Sequence, residues 1–390
     1  MLYKREIRRL EGVVVSERKL KVVHVGKYYW PVRGGIETYL RDLCACTRGR
    51  VDLTVLVSND RLRTVEESVE GVRVIRVRRW AQIASTPICP ALRRRLRRIE
   101  ADIVHVHLPN PMAEVAWLLA RPDAKLVVTF HGDIVRQKLL FRLYRGIGEK
   151  FLRRADRIIA GAPQNVEHSP VLSRFRDKCV VIPYGIDPGA FALTPEREKR
   201  VAELRARFGP RVVFFIGRHV YYKGIEHLVR AMTELDAHAV IGSDGPLTDS
   251  LKSLARSLGV ERKITFAGRI SDDDLPCYYH ACDVFCLPSI ARSEAFGLVQ
   301  LEAMACGKPV VNTSLTTGVV YASLDGITGL TVEPANASAL AAALGKLFAD
   351  DALRLRLGAQ GLDRVRREFT HDLHVRRILD LYSALTGVFT

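Results

Sequence analysis

Short β-branched runs alternate with helical stretches almost from end to end of this chain, and no other feature constrains its fold as much. In the first half the strand candidates are residues 21–26, 52–57, 72–77, 102–107, 125–130, 157–160 and 179–182. In the second half they are 211–216, 238–241, 263–267, 283–287 and 309–312, with helical patterns between strands at 36–47, 91–100, 225–234, 247–258 and 338–348. Strands joined by crossover helices form parallel sheets. At 390 residues the chain exceeds one ordinary domain, so each half is expected to be its own doubly wound, Rossmann-like sheet. The break follows Ile182-Pro183-Tyr184-Gly185-Ile186-Asp187-Pro188-Gly189, whose prolines and glycines interrupt structure before a charged helical stretch at 195–208. The expected organisation is a basic extension over 1–20, a first domain over 21–190, a second over 191–371 and a terminal helix over 372–390. Two such α/β domains facing each other would place the carboxyl ends of their strands around a shared cleft, where ligands bind in open sheets.

Charge is divided unequally between the halves. Residues 1–190 hold 36 of the 60 basic residues against 20 of the 43 acidic ones, leaving the second half near neutrality. A basic half suits an anionic partner: nucleic acid, an acidic membrane surface or a phosphorylated acceptor. No recognised nucleic-acid module is present, and aromatic residues scarcely interleave the basic runs. Arg93-Arg94-Arg95-Leu96-Arg97-Arg98 is most simply a solvated helix face, with docking on anionic lipid as its alternative. No segment approaches eighteen uncharged apolar residues, and the first twenty residues hold no apolar leader core. The eight cysteines are scattered, and the near pairs Cys44-x-Cys46 and Cys282-x-x-x-Cys286 lack the usual zinc spacing, so reduced core thiols in a cytoplasmic protein are expected. His105-x-His107 looks like an exposed metal pair, but packing at a strand end is the preferred reading.

The most informative segment runs from Ser289 to Val311. Its pattern predicts a strand, a loop and a helix over Phe296–Cys306. The N–H groups of Phe296, Gly297 and Leu298 would then be unpaired at the positive end of the helix dipole, an anion site suited to a diphosphate. Gly297, without a side chain, allows close approach. Glu302 lies about 7 Å further along, within reach of a ribose. Glu294 precedes the helix, on the side where a transferred sugar would sit. The plainer alternative is a capped helix with one loop acid and one surface acid. Context favours the first reading, because Gly217-Arg218 and Lys223-Gly224 follow another strand. Two cations there would stabilise the charge that grows on a leaving diphosphate. Further post-strand turns at Gly242–Pro246 and Gly268-Arg269-Ile270 fit the same cleft, the latter offering Arg269 and Ile270 to a base.

In this order the motifs resemble those of the retaining family-4 glycosyltransferases of the GT-B fold. The pieces are Gly34-Gly35-Ile36-Glu37, His131-Gly132, Ile182–Asp187, Gly217-Arg218 through Lys223-Gly224, and Glu294-Ala-Phe-Gly through Glu302 and Val310. The resemblance implies that Glu294 contacts the donor sugar, Glu302 the ribose, and Arg218 with Lys223 the diphosphate. It implies Gly35 in a loop approaching phosphate and acceptor, His131 beside the transferred sugar, and Asp133 and Arg136 toward the acceptor. It further implies an acceptor-binding first domain, a nucleotide-sugar-binding second domain, and a terminal helix crossing back to the first. No metal and no cofactor are expected, the nucleotide-sugar being a substrate, and the anomeric configuration is retained. The resemblance points to GDP-mannose as donor, with UDP-hexoses next, and to a lipid-linked or saccharide acceptor, on a cytoplasmic protein peripheral to the inner membrane face. A non-catalytic basic nucleic-acid-binding protein and a sugar-nucleotide epimerase are the competing classes.

Overall fold

The computed structural model describes residues 18–32, 34–83, 86–133 and 138–388. Residues 1–17 of the basic extension, Arg136 and the last two residues of the terminal stretch lie outside the described residues. The chain divides into two compact units. One runs to Phe130 and adds Leu143–Ile159 and the residues from Val375 onward; the other comprises His131–Arg142 and Ala160–His374.

The first half supplies β1 (Lys21–Val25), β2 (Asp52–Ser58), β3 (Val65–Val69), β4 (Val72–Val77), β5 (Ala81–Ile83), β6 (Thr86–Ile88), β7 (Ile103–Leu108), β8 (Lys125–Phe130), β9 (Arg157–Ala160) and β10 (Cys179–Val181). Eight of them form a sheet in the order β10-β9-β8-β7-β1-β2-β4-β3, while β5 and β6 make a separate hairpin. β1, β7 and β8 are buried along nearly their whole length, which is why they are continuous apolar runs rather than alternating ones. The short edge strand β3 pairs antiparallel with β4 and is largely exposed, with Glu66 and Glu67 at its centre. Charged edges of this kind block edge-to-edge association and also hide the strand from periodicity.

Four polar rings meet on this sheet. His24 of β1 is the register partner of His105 of β7. His105 shares one ring nitrogen with the Tyr382 hydroxyl at 2.6 Å and the other with Thr129 Oγ1 at 2.6 Å. His24 Nδ1 and His107 Nε2 are 3.0 Å apart. All three histidines are essentially inaccessible, and their ligand atoms lie within 4.8 Å of one another. His105 and His107 are therefore not the exposed pair that the motif resembles. They are interior groups, and burial lowers the His24 pKa to about 3, so its ring is held neutral. Tyr382 belongs to the helix His371–Thr386, whose residues from Val375 onward pack with the first unit.

The second half supplies β11 (Val212–Ile216), β12 (His238–Gly242), β13 (Ile264–Gly268), β14 (Val284–Cys286), β15 (Val310–Thr313) and β16 (Gly329–Val332), all parallel, in the order β13-β12-β11-β14-β15-β16. Counted from β11, that is the 3-2-1-4-5-6 order of a dinucleotide-binding sheet, and ligands bind outside the carboxyl ends where the winding reverses. The reversal falls between β11 and β14. In the first sheet the corresponding point lies between β1 and β7. All eight cysteines are free thiols, six of them buried. Among the described residues, no helix is long and apolar enough to cross a membrane.

Candidate active site

Two loops leave the reversal point of the second sheet, and each is shaped by a glycine. The loop after β11 makes a single 3-10 turn over Tyr221–Lys223 and ends at Gly224, whose φ of +62° is left-handed. A Cβ on Gly224 would strike the Pro288 carbonyl and Ile290 of the loop after β14. The loops therefore lie against each other, and Ile290 N donates to the Tyr222 carbonyl at 2.8 Å. The second loop ends at Gly297, with φ +73°, where a Cβ would approach Leu287 to 2.6 Å. That left-handed residue cannot belong to the helix. It begins at Leu298 and ends at Ala305, shorter at both ends than the expected 296–306. The Phe296 side chain is buried against Tyr184 and Phe369.

The close packing of these loops brings Lys223 onto Glu294, with Nζ 2.6 Å from Oε2 and both side chains about nine-tenths buried. Ser289 Oγ donates to the same carboxylate oxygen at 3.0 Å. Burial pulls the Lys223 ammonium toward neutrality, but the Glu294 carboxylate and its neighbours outweigh this, so the lysine pKa is raised and the charge retained. Glu302 adds to the negative potential on Lys223 and accepts a 2.6 Å hydrogen bond from Tyr279, a wholly buried residue of the helix Leu275–Ala281. Arg218, next to Gly217, is exposed and pairs with no acid among the described residues. Lys223 Nζ also approaches Gly217, 3.5 Å from where a Cβ on that glycine would stand.

At the ends of β11, β12 and β13, Ile216 and Ile270 close on Gly242, making an apolar pad beside the cations. Arg269 is exposed and pairs with Asp244 at 2.9 Å. His131 lies in the same unit. Its Nδ1 is 3.0 Å from the Tyr184 hydroxyl, and its ring is stacked with that of Tyr184, which also stacks on His374. Burial, reinforced by His374, lowers the His131 pKa to about 3. The loop that carries His131 is clasped to the Glu294 loop: Asp133 accepts from Arg292 at 3.3 Å and from Ser169 at 2.7 Å, while Gly132 faces Ala295.

The structure thus gathers Gly217, Lys223, Glu294, Phe296, Gly297, Leu298 and Glu302 at one reversal point, with Arg218 and Ile270 at its margins. Gly35 belongs to the first unit, where it opens the helix Gly35–Thr47 after β1. The sequence reading missed the direct Lys223–Glu294 contact, Ser289, Tyr279, Tyr184, His374 and the Asp133–Arg292 clasp. Ser289 left a signal, a hydroxyl five residues before Glu294 in the same loop, and Tyr184 and Asp133 stand in segments already singled out, without these contacts being foreseen.

Two family models match the chain: the one described as Glycosyltransferase Family 4 over residues 33–190, and the one described as Glycosyl transferases group 1 over residues 196–364. The O-antigen chain mannosyltransferase C of Escherichia coli is 32% identical over 370 residues, covering 94% of this chain and 99% of its own length. The D-rhamnosyltransferase WbpZ of Pseudomonas aeruginosa is 33% identical over 90% of this chain and 92% of its own. The GDP-mannose-dependent alpha-(1-6)-phosphatidylinositol monomannoside mannosyltransferase of Mycolicibacterium smegmatis is 30% identical, covering 85% and 90%. Among solved structures, a sucrose-phosphate synthase of Thermosynechococcus elongatus superposes with a TM-score of 0.78 at 23% identity, over 94% of this chain and 99% of that one. Anabaena HepE in complex with UDP superposes at 0.77 and 21% identity, over 94% and 100%. At these identities the two structures speak to the fold alone, which is GT-B.

Proposed function

We propose, because this chain belongs to the glycosyltransferases described by the family 4 and group 1 models, that its second unit holds a nucleotide-hexose by the Lys223–Glu294 loops and transfers the hexose with retention. The buried ion pair at the sheet's reversal point carries this reading. Without ligand, each member neutralises the other. A donor diphosphate at the start of the helix Leu298–Ala305 meets the N–H groups of its first turn, the exposed Arg218 guanidinium and the Lys223 ammonium. Lys223 then has an anionic partner other than Glu294, and the freed carboxylate can accept hydrogen bonds from hexose hydroxyls. Glu302, oriented by Tyr279, takes the ribose. The Ile216–Ile270 pad and Arg269 take the base.

As the bond from the anomeric carbon to the β-phosphate oxygen breaks, both electrons go to the leaving diphosphate. Arg218 and Lys223 stabilise that growing charge more than they stabilise the ground state. The acceptor oxygen attacks from the same face, and its proton passes to the departing phosphate oxygen, which gives retention without a protein nucleophile. His131, kept neutral by burial, is assigned a hydrogen bond to the transferred sugar. Gly35 is assigned to the acceptor side. Two cations perform the electrostatic task a metal would otherwise perform, so neither metal nor cofactor is required.

GDP-mannose is the favoured donor, because mannosyltransferases, one of them GDP-mannose-dependent, are among the relatives covering most of the chain. A UDP-hexose is the second reading, favoured by the fold likeness to HepE with UDP. The proposed acceptor is a saccharide or lipid-linked saccharide, met by a cytoplasmic enzyme peripheral to the inner membrane face. Thermal shift with GDP, UDP and ADP, followed by hydrolysis of the matching hexose donors, tests the assignment. Stabilisation by GDP and hydrolysis of GDP-mannose are expected. Equal indifference to every nucleotide would overturn the donor site.

A further inference from the structure

Three of the most exposed large apolar side chains of the first unit stand on two neighbouring loops: Leu62 is 74% exposed, Ile83 61% and Trp80 59%. The loops continue from β2 and β4, which end side by side with Ser58 opposite Val77. They are tied together: Asn59 N donates to the Val77 carbonyl at 2.7 Å, Arg79 to the Asp60 carbonyl at 2.9 Å, and Arg78 N to Thr64 Oγ1 at 3.1 Å. The same two stretches, 59–64 and 78–83, contain Arg61, Arg63, Arg78 and Arg79 against the single acid Asp60. The Arg78 guanidinium lies over the Trp80 ring at 5.2 Å. Ala81, Gln82 and Ile83 are all exposed, so this arm of the hairpin offers its side chains to solvent rather than to a core.

Large apolar groups left in water on adjacent loops mark a surface that meets something apolar. Here the apolar groups are exposed loop residues accompanied by arginines, and one is a tryptophan, the side chain that settles where water meets hydrocarbon. The accompanying charge selects an anionic surface. We infer that the 59–64 and 78–83 loops dock the chain on an anionic lipid bilayer, Leu62, Trp80 and Ile83 entering the boundary between headgroups and acyl chains while Arg61, Arg63 and Arg78 meet lipid phosphates. The arginine-rich helix Ala91–Arg98 is the weaker candidate for this role. It exposes Arg93, Arg94, Arg97 and Arg98, but its leucines, Leu92 and Leu96, are buried in the protein and leave no apolar face to insert. The docking loops lie at the carboxyl edge of the first sheet, the edge from which the Gly34-Gly35 turn also leaves β1. A lipid-linked acceptor anchored in that bilayer would arrive at this edge, and to that extent the inference extends the acceptor reading above.

The full chain is mixed with vesicles of phosphatidylcholine, with and without phosphatidylglycerol, some carrying brominated acyl chains. Co-flotation with the acidic vesicles and quenching of tryptophan fluorescence by the brominated lipid are expected. Trp80→Phe should remove most of the quenching, because Trp117 is buried and Trp30, on the loop after β1, is only partly exposed with its ring under the Arg41 guanidinium. Leu62→Ser with Ile83→Ser should weaken partitioning about tenfold or more. Each of Arg61→Gln, Arg63→Gln and Arg78→Gln should weaken it about fivefold. Replacing Arg93, Arg94, Arg97 and Arg98 by Gln should leave the quenching in place. Flotation without quenching, or flotation lost only with the helix arginines, overturns the inference, as does an absence of flotation. Transfer to a water-soluble acceptor is expected to be unchanged in the loop variants. A failure of vesicle binding therefore leaves the transferase reading standing, and an inactive enzyme that still floats sinks only the latter.

Discussion

Two sheets in this protein reverse their winding, and the two reversal points are filled in opposite ways. Between β1 and β7, His24, His105 and His107 sit beneath Tyr382 and bond to one another, to Thr129 and to Tyr382, and burial keeps His24 uncharged. Between β11 and β14, burial instead encloses a full charge pair, Lys223 and Glu294, beside an exposed guanidinium. Neutral polar groups that satisfy one another inside a sheet hold strands in register. Opposite charges enclosed beside an open anion site can exchange partners. The same topology therefore holds a neutral polar cluster in one unit and, in the other, the charge pair on which the proposed donor site rests.

Lys223→Ala should break the comparison most sharply. It removes transition-state charge stabilisation and leaves Glu294 buried without its cation, so kcat/KM should fall about 10³-fold or more and stability by ~3–5 kcal/mol. Adding Glu294→Gln should restore part of the stability and none of the activity, as read by thermal melting and steady-state transfer. Arg218→Ala should cost about 10²-fold in kcat with stability changed by less than about 0.5 kcal/mol, because this exposed side chain forms no ion pair among the described residues. An equal stability loss in both single variants would erase the distinction drawn between them. At the other reversal point His107→Ala strips His24 of a hydrogen-bond partner. It should destabilise by ~1–3 kcal/mol while kcat per folded molecule is unchanged.

The smallest effect is a pH slope. The pKa values of His24 and His131 fall from 6.5 to about 3 on folding, so between those values the unfolded chain binds protons that the native chain does not. Stability should therefore be lost as pH falls from 6.5 toward 3. Glu114 works in the opposite sense. Burial raises its pKa from 4.5 to about 7 against opposing bonds from Tyr144 and the Asn110 backbone, so its contribution is lost as pH rises from 4.5 through 7. Urea melts across this range should show a shallower acid loss with His24→Asn and a steeper one with Glu114→Gln, since the two contributions oppose each other between pH 4.5 and 6.5.

The sheet pattern was legible because core strands such as Val212–Ile216 are unbroken apolar runs between turn residues. β3 was not, since two glutamates at an exposed edge cancel the alternation, and β16, four residues beginning with glycine, was equally silent. At the site, spacing along the chain placed the cations and acids on loops after particular strands. It could not show that Lys223 and Glu294 touch, because that depends on how two loops 71 residues apart pack through Gly224 and Pro288. Helix limits failed where a backbone angle decided them, as at Gly297. The charge of the first half was plain from composition. Its division into an arginine-rich helix with buried leucines and an arginine-bearing apolar loop pair was not, since it depends on which side chains the fold covers.

With the donor site as proposed, the Lys223–Glu294 contact makes Glu294 an internal competitor for the enzyme's own product. A departing nucleoside diphosphate is replaced at the lysine by a carboxylate that is covalently present and never diffuses away. Binding of donor and retention of spent nucleotide are weakened together, by the same amount, because both must displace the same partner. Weakening that internal partner, as Glu294→Gln does, should therefore make the nucleoside diphosphate a stronger product inhibitor even as transfer is lost.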